Sequence, residues 1–517
     1  MEIVSSEKSL HLRVRDRQRI LTAIPLSRPM GEDHVFVKWD LENSRRLNNL
    51  RIKNTPSPIR RDYNWPGKFA PYAHQRETAE FLTLNNRSFC FSEQGTGKTA
   101  AAIWAADYLM NIGDVTRVLI VCPVSVMQSA WADDLFSLVM HRTTAIAHGT
   151  RKKREKVLAE DYDFVIINYD GLHTVETHLY NKFDLIIADE CNFVKTATTR
   201  RWKAFRRLVT PGTKLWLMTG TPAAQSPLDA YGIAKLVNPN LVPRYFGAWR
   251  DMVMIRTSPW QWMPKKNATM LVNIALQPAI RFTKSECLDL PPVTYQTRTV
   301  NLTPTQWHCY EEIKNEKFMS VEGGQGVSAV HAAAAMTKLL QVSCGAVYSD
   351  SGDVVEVDCK NRLREVVDIV NATVNKVVVF VPFRHAITIL ADRLKSEKIS
   401  TEVVNGEVSA QKRADIFHAF QTTDDPRVLV IQPQSAAHGI TLTAADTIVW
   451  FGPIASVETW LQANERINRP PQKNKMTIIK ICGSPIEKRV YKALESKESQ
   501  HRMLTRIYEE ERDDSGY

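Results

Sequence analysis

Ser92-Glu93-Gln94-Gly95-Thr96-Gly97-Lys98-Thr99 decides the reading of this chain, because it follows the apolar run Phe89-Cys90-Phe91 and opens the alanine-rich stretch 100–106. A buried strand that passes through a glycine-rich loop into a helix aims successive backbone N–H groups, and the positive end of the helix dipole, at one point. That is how a phosphate is held. Gly95 and Gly97 let the loop curl, Gln94, Gly95, Thr96 and Gly97 line it, Lys98 is placed to reach β- and γ-phosphates, and Thr99 is placed to ligate magnesium. The full pattern G-x-x-x-x-G-K-[ST] has glycine where this chain has Ser92. The context of strand, loop and helix therefore carries the reading.

Outward from this loop, short apolar runs recur between helix-like stretches: RVLIVCP (117–123), DFVIINYD (163–170), FDLIIADE (183–190) and KLWLMTG (214–220). Near-continuous apolar character marks parallel strands buried on both faces. The same grammar restarts at KVVVFVPF (376–383) and continues through RVLVIQP (427–433), DTIVWFG (446–452) and MTIIKICG (476–483). Two α/β lobes are expected. The stretch from about 223 to 375 includes RFTKSECLDLPPVTY (281–295) and HAAAAMTKLLQV (331–342); it reads as helical protrusions on each lobe, with the boundary near Leu290-Pro291-Pro292. The expected organisation is a small strand-containing accessory element and linker over 1–70, lobe one over 71–290, lobe two over 291–505 and a charged tail over 506–517.

Bulk properties fit that division. The 517 residues exceed one ordinary core, and 44% apolar with 24% charged residues is the composition of a globular protein. A formal net charge of +11 permits a polyanionic partner without specifying one. The eight cysteines form no C-x-x-C pair and no Cys/His cluster, so no structural zinc is expected, and those inside apolar runs suit a reducing compartment. No run approaches eighteen apolar residues, and the N-terminus lacks the apolar core of a secretory signal. A cytoplasmic protein without membrane contact is the expectation.

Asp189-Glu190 ends the apolar run FDLII, at the carboxyl edge of a strand, where ligands of open α/β sheets collect. In that place Asp189 is read as orienting the magnesium shell and Glu190 as the general base toward an attacking water. Acidic capping of a helix N-terminus is the structural alternative for such a pair. In QANERINR (462–469), Gln462, Arg466 and Arg469 are spaced to line one helical face, with Arg469 the candidate arginine finger and Arg466 assisting. A solvated helix face is the ordinary fate of such arginines.

The order PYAHQRETAEFL, SEQGTGKT, VLIVCPVSVMQSAW, VIINYD, DECN, LMTGTPAAQS, KVVVFVPF, QSAAHGITLTAADTIVWF and QANERINRPPQ resembles the motor of Swi/Snf-family DNA translocases, within the second helicase superfamily, over about residues 71–500. The resemblance implies two RecA-like lobes with parallel sheets, ATP and Mg2+ in the cleft, and duplex or branched DNA as partner of a monomeric motor of compact bacterial or phage type. By position it implies that Gln75 recognises adenine, that Thr219, Gly220, Thr221 and Pro222 link nucleotide state to DNA, that Gly439 and the Ile-Thr-Leu-Thr-Ala-Ala-Asp after it touch both DNA backbone and nucleotide, and that Gln462 borders the nucleotide. Gly406 and Arg413 match a further family stretch without an assigned role. Three departures stand out: Ser92 for an acidic residue or glycine, Asn192 for histidine after the acidic pair, and Pro470-Pro471 after the finger arginine, which are expected to end its helix.

The basic runs RKKREK (151–156) and TTRRWKAFRR (198–207) are candidates for backbone contact, although each taken singly reads as a solvated face; the tryptophans between 249 and 262 read as packing residues. The expected function is an ATP-dependent translocase or helicase acting on double-stranded or branched DNA. A binding module with a degenerate ATPase site and an RNA-directed helicase are the alternatives.

Overall fold

The computed structural model describes residues 1–496 except 5–6, 15, 32, 221, 223–225, 259–260, 288–289, 320–328, 349–353, 437–439 and 471. Gly439, Thr221 and the tail 506–517 lie outside the described residues. The chain divides into two compact units, Met1–Leu288 and Asp289–Tyr517.

The first unit begins with four antiparallel strands, β1 (Glu2–Val4), β2 (Ser9–Arg13), β3 (Arg28–Met30) and β4 (His34–Lys38), in the order β1-β2-β4-β3. Leu10, Leu12, Val35 and Val37 alternate inward and close a core of their own with Ile20, Ile24, Trp39 and Leu47. The segment read as linker is packed rather than free. Ile59 and Tyr63 are buried in the core of the larger domain, the Tyr63 hydroxyl donates to the buried Asp107 at 2.6 Å, and Trp104 Nε1 donates to Pro66 O at 2.9 Å.

The main sheet of this unit contains β5 (Arg87–Cys90), β6 (Val118–Cys122), β7 (Thr144–Ala147), β8 (Phe164–Asn168), β9 (Leu185–Asp189), β10 (Lys214–Met218) and, past the hairpin β11 (Met254–Ser258) and β12 (Gln261–Pro264), β13 (Ala279–Ile280). All seven strands run parallel, in the order β13-β5-β10-β9-β6-β8-β7. The apolar runs alternate between two layers. Leu119 and Val121 face one core, Val118 and Ile120 the other, which is why such strands show no polar face in the sequence. The stretch read as a helical protrusion contains Ala230–Val237, which is buried almost throughout, followed by Phe246–Val253 and Ala268–Ala275. Trp249 is a core residue, in line with its reading as packing.

The second unit contains β14 (Val293–Thr299), a short antiparallel pair β15 (Ala346–Tyr348) and β16 (Val354–Glu356), then β17 (Lys376–Phe380), β18 (Thr401–Val404), β19 (Val428–Ile431), β20 (Ala445–Trp450) and β21 (Met476–Cys482). Its six-stranded sheet is parallel in the order β14-β21-β20-β17-β19-β18, covered on both faces. The helices Pro304–Met319 and Ala329–Ser343 are the expected helical insertion. Each unit is thus a doubly wound α/β domain, the architecture expected of a RecA-like lobe.

A buried ion pair ties the second unit together. Arg362, on the helix Lys360–Ala372, donates to Glu487 Oε2 at 2.7 Å and to the Phe451 carbonyl just past β20. The same carboxylate accepts the N–H groups of Gly483 and Ser484 at 2.7 and 3.0 Å, capping the helix Pro485–Glu495. Removing one partner of such a pair leaves an uncompensated buried charge, so Arg362→Ala is expected to cost about 3–5 kcal/mol in urea unfolding. A loss below about 1 kcal/mol, the range of exposed pairs, would count against this role.

Candidate active site

β5, β10 and β9 are consecutive in the sheet, so their carboxyl ends deliver three loops side by side: the phosphate loop after Cys90, Thr219-Gly220 after Met218, and Asp189-Glu190. The register Met218↔Cys90 and Met218↔Asp189 places these loops at one level. Residues about 30 and 100 positions apart in sequence become neighbours through strand pairing alone.

The loop is wound as the glycines require. Gly95 and Gly97 adopt φ of 83° and 80°, and a Cβ at Gly97 would overlap the Gln75 carboxamide nitrogen. Gly97 caps the helix Lys98–Asn111, with Thr99 in its first turn. Lys98 Nζ donates to the Ser92 and Glu93 carbonyls at 2.7 and 3.1 Å, folded over the loop it belongs to. Gln75, on the helix Ala73–Leu84, accepts Tyr72 N–H at 2.9 Å and donates to Thr96 O at 3.3 Å, while His74 also meets Thr96 O at 2.7 Å. The glycine cradle, the lysine and the helix end suit a triphosphate, and Thr99 and Asp189 are the side chains that could hold its magnesium.

Asp189 is held from two sides: Trp131 Nε1 donates to Oδ2 at 3.1 Å and Glu190 N–H to Oδ1 at 3.0 Å, with the Tyr169 hydroxyl on its carbonyl at 2.7 Å. Burial pushes its carboxyl up from the ordinary value, and the Lys98 charge and these donors oppose that shift. Glu190 takes a left-handed conformation, φ 51°, which costs a non-glycine residue about 1–3 kcal/mol. Its side chain accepts from Gln94 Nε2 at 3.3 Å and from Thr219 Oγ1 at 3.1 Å, and Asn192 Nδ2 donates to Thr219 Oγ1 at 3.2 Å. Trp131 and Tyr169 were inside quoted motifs yet carried no sequence signal of their own, since each acts through one polar atom on an otherwise apolar ring.

Ser92 has a definite task. Its buried hydroxyl accepts Phe282 N–H at 3.1 Å, Glu93 N–H donates to Phe282 O at 2.9 Å, and the Glu93 carboxylate accepts Lys284 N–H at 3.0 Å. The segment after β13 is thereby fastened to the phosphate loop. The ring of Phe282 also lies 5.8 Å from that of His74.

The second unit departs from the helical reading of QANERINR. The helix Val457–Asn464 ends before Arg466, so Gln462, Arg466 and Arg469 do not share one helical face, and Pro470 follows the helix end at a distance instead of causing it. The cause is tertiary: Leu442 N–H donates to Arg466 O at 2.9 Å, and the fully buried Arg466 directs Nη1 to Ile440 O at 3.4 Å. Arg469 is half-buried, with Nε on Glu465 O at 3.1 Å, and Gln462 is buried with Nε2 on Glu458 Oε1 at 3.3 Å. Arg413 donates to the Asn405 and Val408 carbonyls at 3.3 and 3.2 Å, bracing the loop that contains Gly406.

The basic runs are partly committed elsewhere. Arg201 pairs with Asp170 and Arg207 with Glu176, Phe205 lies in the core, Trp202 Nε1 donates to Gly232 O at 2.8 Å, and the buried Arg154 donates to Ala147 O at 2.7 Å. Arg200, Lys203, Lys152, Lys153 and Lys156 are exposed. Among the described residues no group of three or more His, Cys, Asp and Glu side chains forms a metal cluster, and no helix is long and apolar enough to cross a membrane.

Ser92→Ala removes the acceptor of the Phe282 N–H, at an expected cost of about 1–3 kcal/mol. Hydrogen exchange is expected to quicken at residues 280–284 and not in β6 or β8; unchanged protection of that segment would contradict the anchor.

The chain resembles several known proteins. The SNF2-related domain family matches residues 74–345 and the helicase conserved C-terminal domain matches residues 360–470. The SWI/SNF-related matrix-associated actin-dependent regulator of chromatin subfamily A-like protein 1 of Xenopus laevis is 23% identical over 429 residues, covering 80% of this chain and 41% of that protein. An uncharacterised ATP-dependent helicase of Mycoplasma genitalium is 23% identical over 405 residues, 77% of this chain and 38% of that protein. The chain therefore spans about two-fifths of these relatives' length. The putative protein p41 of Acyrthosiphon pisum secondary endosymbiont phage 1 is 27% identical over 300 residues, 54% of this chain and 65% of that protein. The Sulfolobus solfataricus SWI2/SNF2 ATPase core in complex with dsDNA aligns with a TM-score of 0.42 at 22% identity, covering 84% of this chain and 92% of that one. With more than half of its length matched by one domain family and the motif-bearing loops gathered at three adjacent strand ends, this chain belongs to the SNF2-related family.

Proposed function

We propose that this protein hydrolyses ATP to drive movement along, or remodelling of, duplex or branched DNA. The observation that carries the reading is the meeting of the phosphate loop, Asp189-Glu190 and Thr219-Gly220 across β5, β10 and β9. In this reading the backbone of Gln94–Thr99 and the Lys98 ammonium bind the triphosphate, Gln75 borders the base, and Thr99 and Asp189 hold magnesium, which supplies charge neutralisation when bound. Glu190 takes the proton of the attacking water, the water oxygen bonds to the γ-phosphorus, and the bond to the ADP oxygen breaks. The polar chain from Glu190 through Thr219 to Asn192 supports a link between the hydrolytic centre and the end of β10.

Arg469 is the candidate to meet charge on the γ-phosphate, which makes turnover depend on both units acting together. The buried Arg466 positions it by fixing the chain between Ile440 and Leu442. Gly439 and Gln462 remain candidates for the nucleotide side of this unit. Membership of the family and the net charge of +11 support a polynucleotide track. The exposed Arg200, Lys203, Lys152, Lys153 and Lys156 are the positions left for backbone contact.

Steady-state ATP hydrolysis measured without nucleic acid and with duplex, forked and single-stranded DNA and RNA tests the reading. Stimulation by duplex or forked DNA is expected; stimulation by RNA alone, or by no polymer, would overturn the DNA motor. Lys98→Ala is expected to weaken ATP binding. Glu190→Gln is expected to keep binding and lose turnover by roughly 100-fold or more. Arg469→Ala is expected to lose on the order of 1,000-fold in turnover with little change in nucleotide affinity. Wild-type rates in all three would reject the site assignment.

A further inference from the structure

The third residue of the phosphate loop carries a side chain that the roles above leave unused. Gln94 extends from the loop across to the hydrolytic carboxylate, where its amide donates to Glu190 Oε1 at 3.3 Å. A carboxylate only accepts, so it is the amide nitrogen that meets Glu190, and the carbonyl oxygen beside it must find a donor of its own. That oxygen, Gln94 Oε1, is buried and has no hydrogen-bond partner among the described residues. A buried carbonyl left without a donor is costly, and in a native fold it is a place to look for a ligand.

Space is reserved for this side chain. A Cβ at Gly220 would lie 3.1 Å from Gln94 Cγ and 3.3 Å from its backbone nitrogen, so a side chain after Thr219 would crowd the glutamine. The left-handed backbone of Glu190 turns its carboxylate toward the same point, where Thr219 donates to the other oxygen at 3.1 Å. Glu190 is therefore gripped between two donors, one from the end of β10 and one from the phosphate loop itself.

We propose that Gln94 is a positioning residue for hydrolysis: its amide fixes the Glu190 carboxylate, and its orphan carbonyl accepts a hydrogen bond from the attacking water. The water is then oriented by two acceptors, Glu190 Oε and Gln94 Oε1. Gln94 neither gains nor loses a proton; the proton passes to Glu190. This role rests on the hydrolytic reading of the site and adds to it a second group that reaches the water from the phosphate-loop side.

The test uses the full chain with Gln94→Met, which keeps the length and backbone N–H but removes both amide functions, and Gln94→Glu, which sets a second carboxylate against Glu190. For Gln94→Met, kcat is expected to fall on the order of tenfold while KM for ATP and Kd for ADP stay within about twofold. Affinity for ADP with aluminium fluoride, which mimics the transferring group, is expected to fall in parallel with kcat. Gln94→Glu is expected to lose at least as much turnover. Equal weakening of ADP and of ADP with aluminium fluoride would make the residue merely structural and overturn the proposal, as would wild-type kcat in either variant. Absence of turnover in the wild-type protein would instead reject the hydrolytic reading, and this role would fall with it.

Discussion

The parallel pairing of β10 between β5 and β9 is the constraint on which the rest of this molecule depends. A β10 slipped by one residue would exchange its two buried faces and move Thr219 away from Glu190, so the two apolar layers that select the register also set the chemistry. Leu215 and Leu217 enter one core while Trp216 and Met218 enter the other. The charged residues of these strands, Arg87, Asp189 and Lys214, stand at their ends. The site is thus a consequence of where burial stops, and its precision is inherited from the packing beneath it.

The three departures from the family pattern acquire physical content in the fold. Ser92 exchanges the freedom of glycine for a hydroxyl that receives the Phe282 N–H, so the phosphate loop is anchored to the segment that follows β13. Asn192 provides an amide donor to Thr219, which in turn donates to Glu190. Pro470 follows a chain already out of helical conformation. Two of the three therefore alter how loops are tied together, and Lys98, Asp189, Glu190 and the candidate Arg469 are untouched.

The two units show different strategies for burying charge. In the first, Asp107 lies fully inside and gathers Tyr63, His141 and Arg142, which joins the segment before the domain to the helix after the phosphate loop. In the second, Arg362 and Glu487 form a pair that also satisfies a helix N-terminus. Each network spans elements far apart in sequence, and each is satisfied chiefly by direct partners, as burial of charge demands.

How much was legible in the sequence follows from which interactions are local. The nine apolar runs became β5, β6, β8, β9, β10, β17, β19, β20 and β21 because a strand covered on both faces must be apolar at successive positions, whatever lies beside it. The phosphate loop, Asp189 and Glu190 were legible for the same reason: glycine conformation, a helix start and a strand end are properties of neighbouring residues. The edge strands β7, β13, β14 and β18 were not, since β14 is largely exposed and β13 is two residues long, and their existence depends on a partner elsewhere. Arg466 shows the limit most clearly. Its spacing from Gln462 and Arg469 is helical, yet its carbonyl bonds Leu442 and its side chain is buried. The sequence by itself determined where chain is buried and where the glycine loop and the acidic pair end their strands. Tertiary structure decided which distant backbone groups complete those segments, because a hydrogen-bond partner dozens of residues away leaves no periodic trace in the chain it captures.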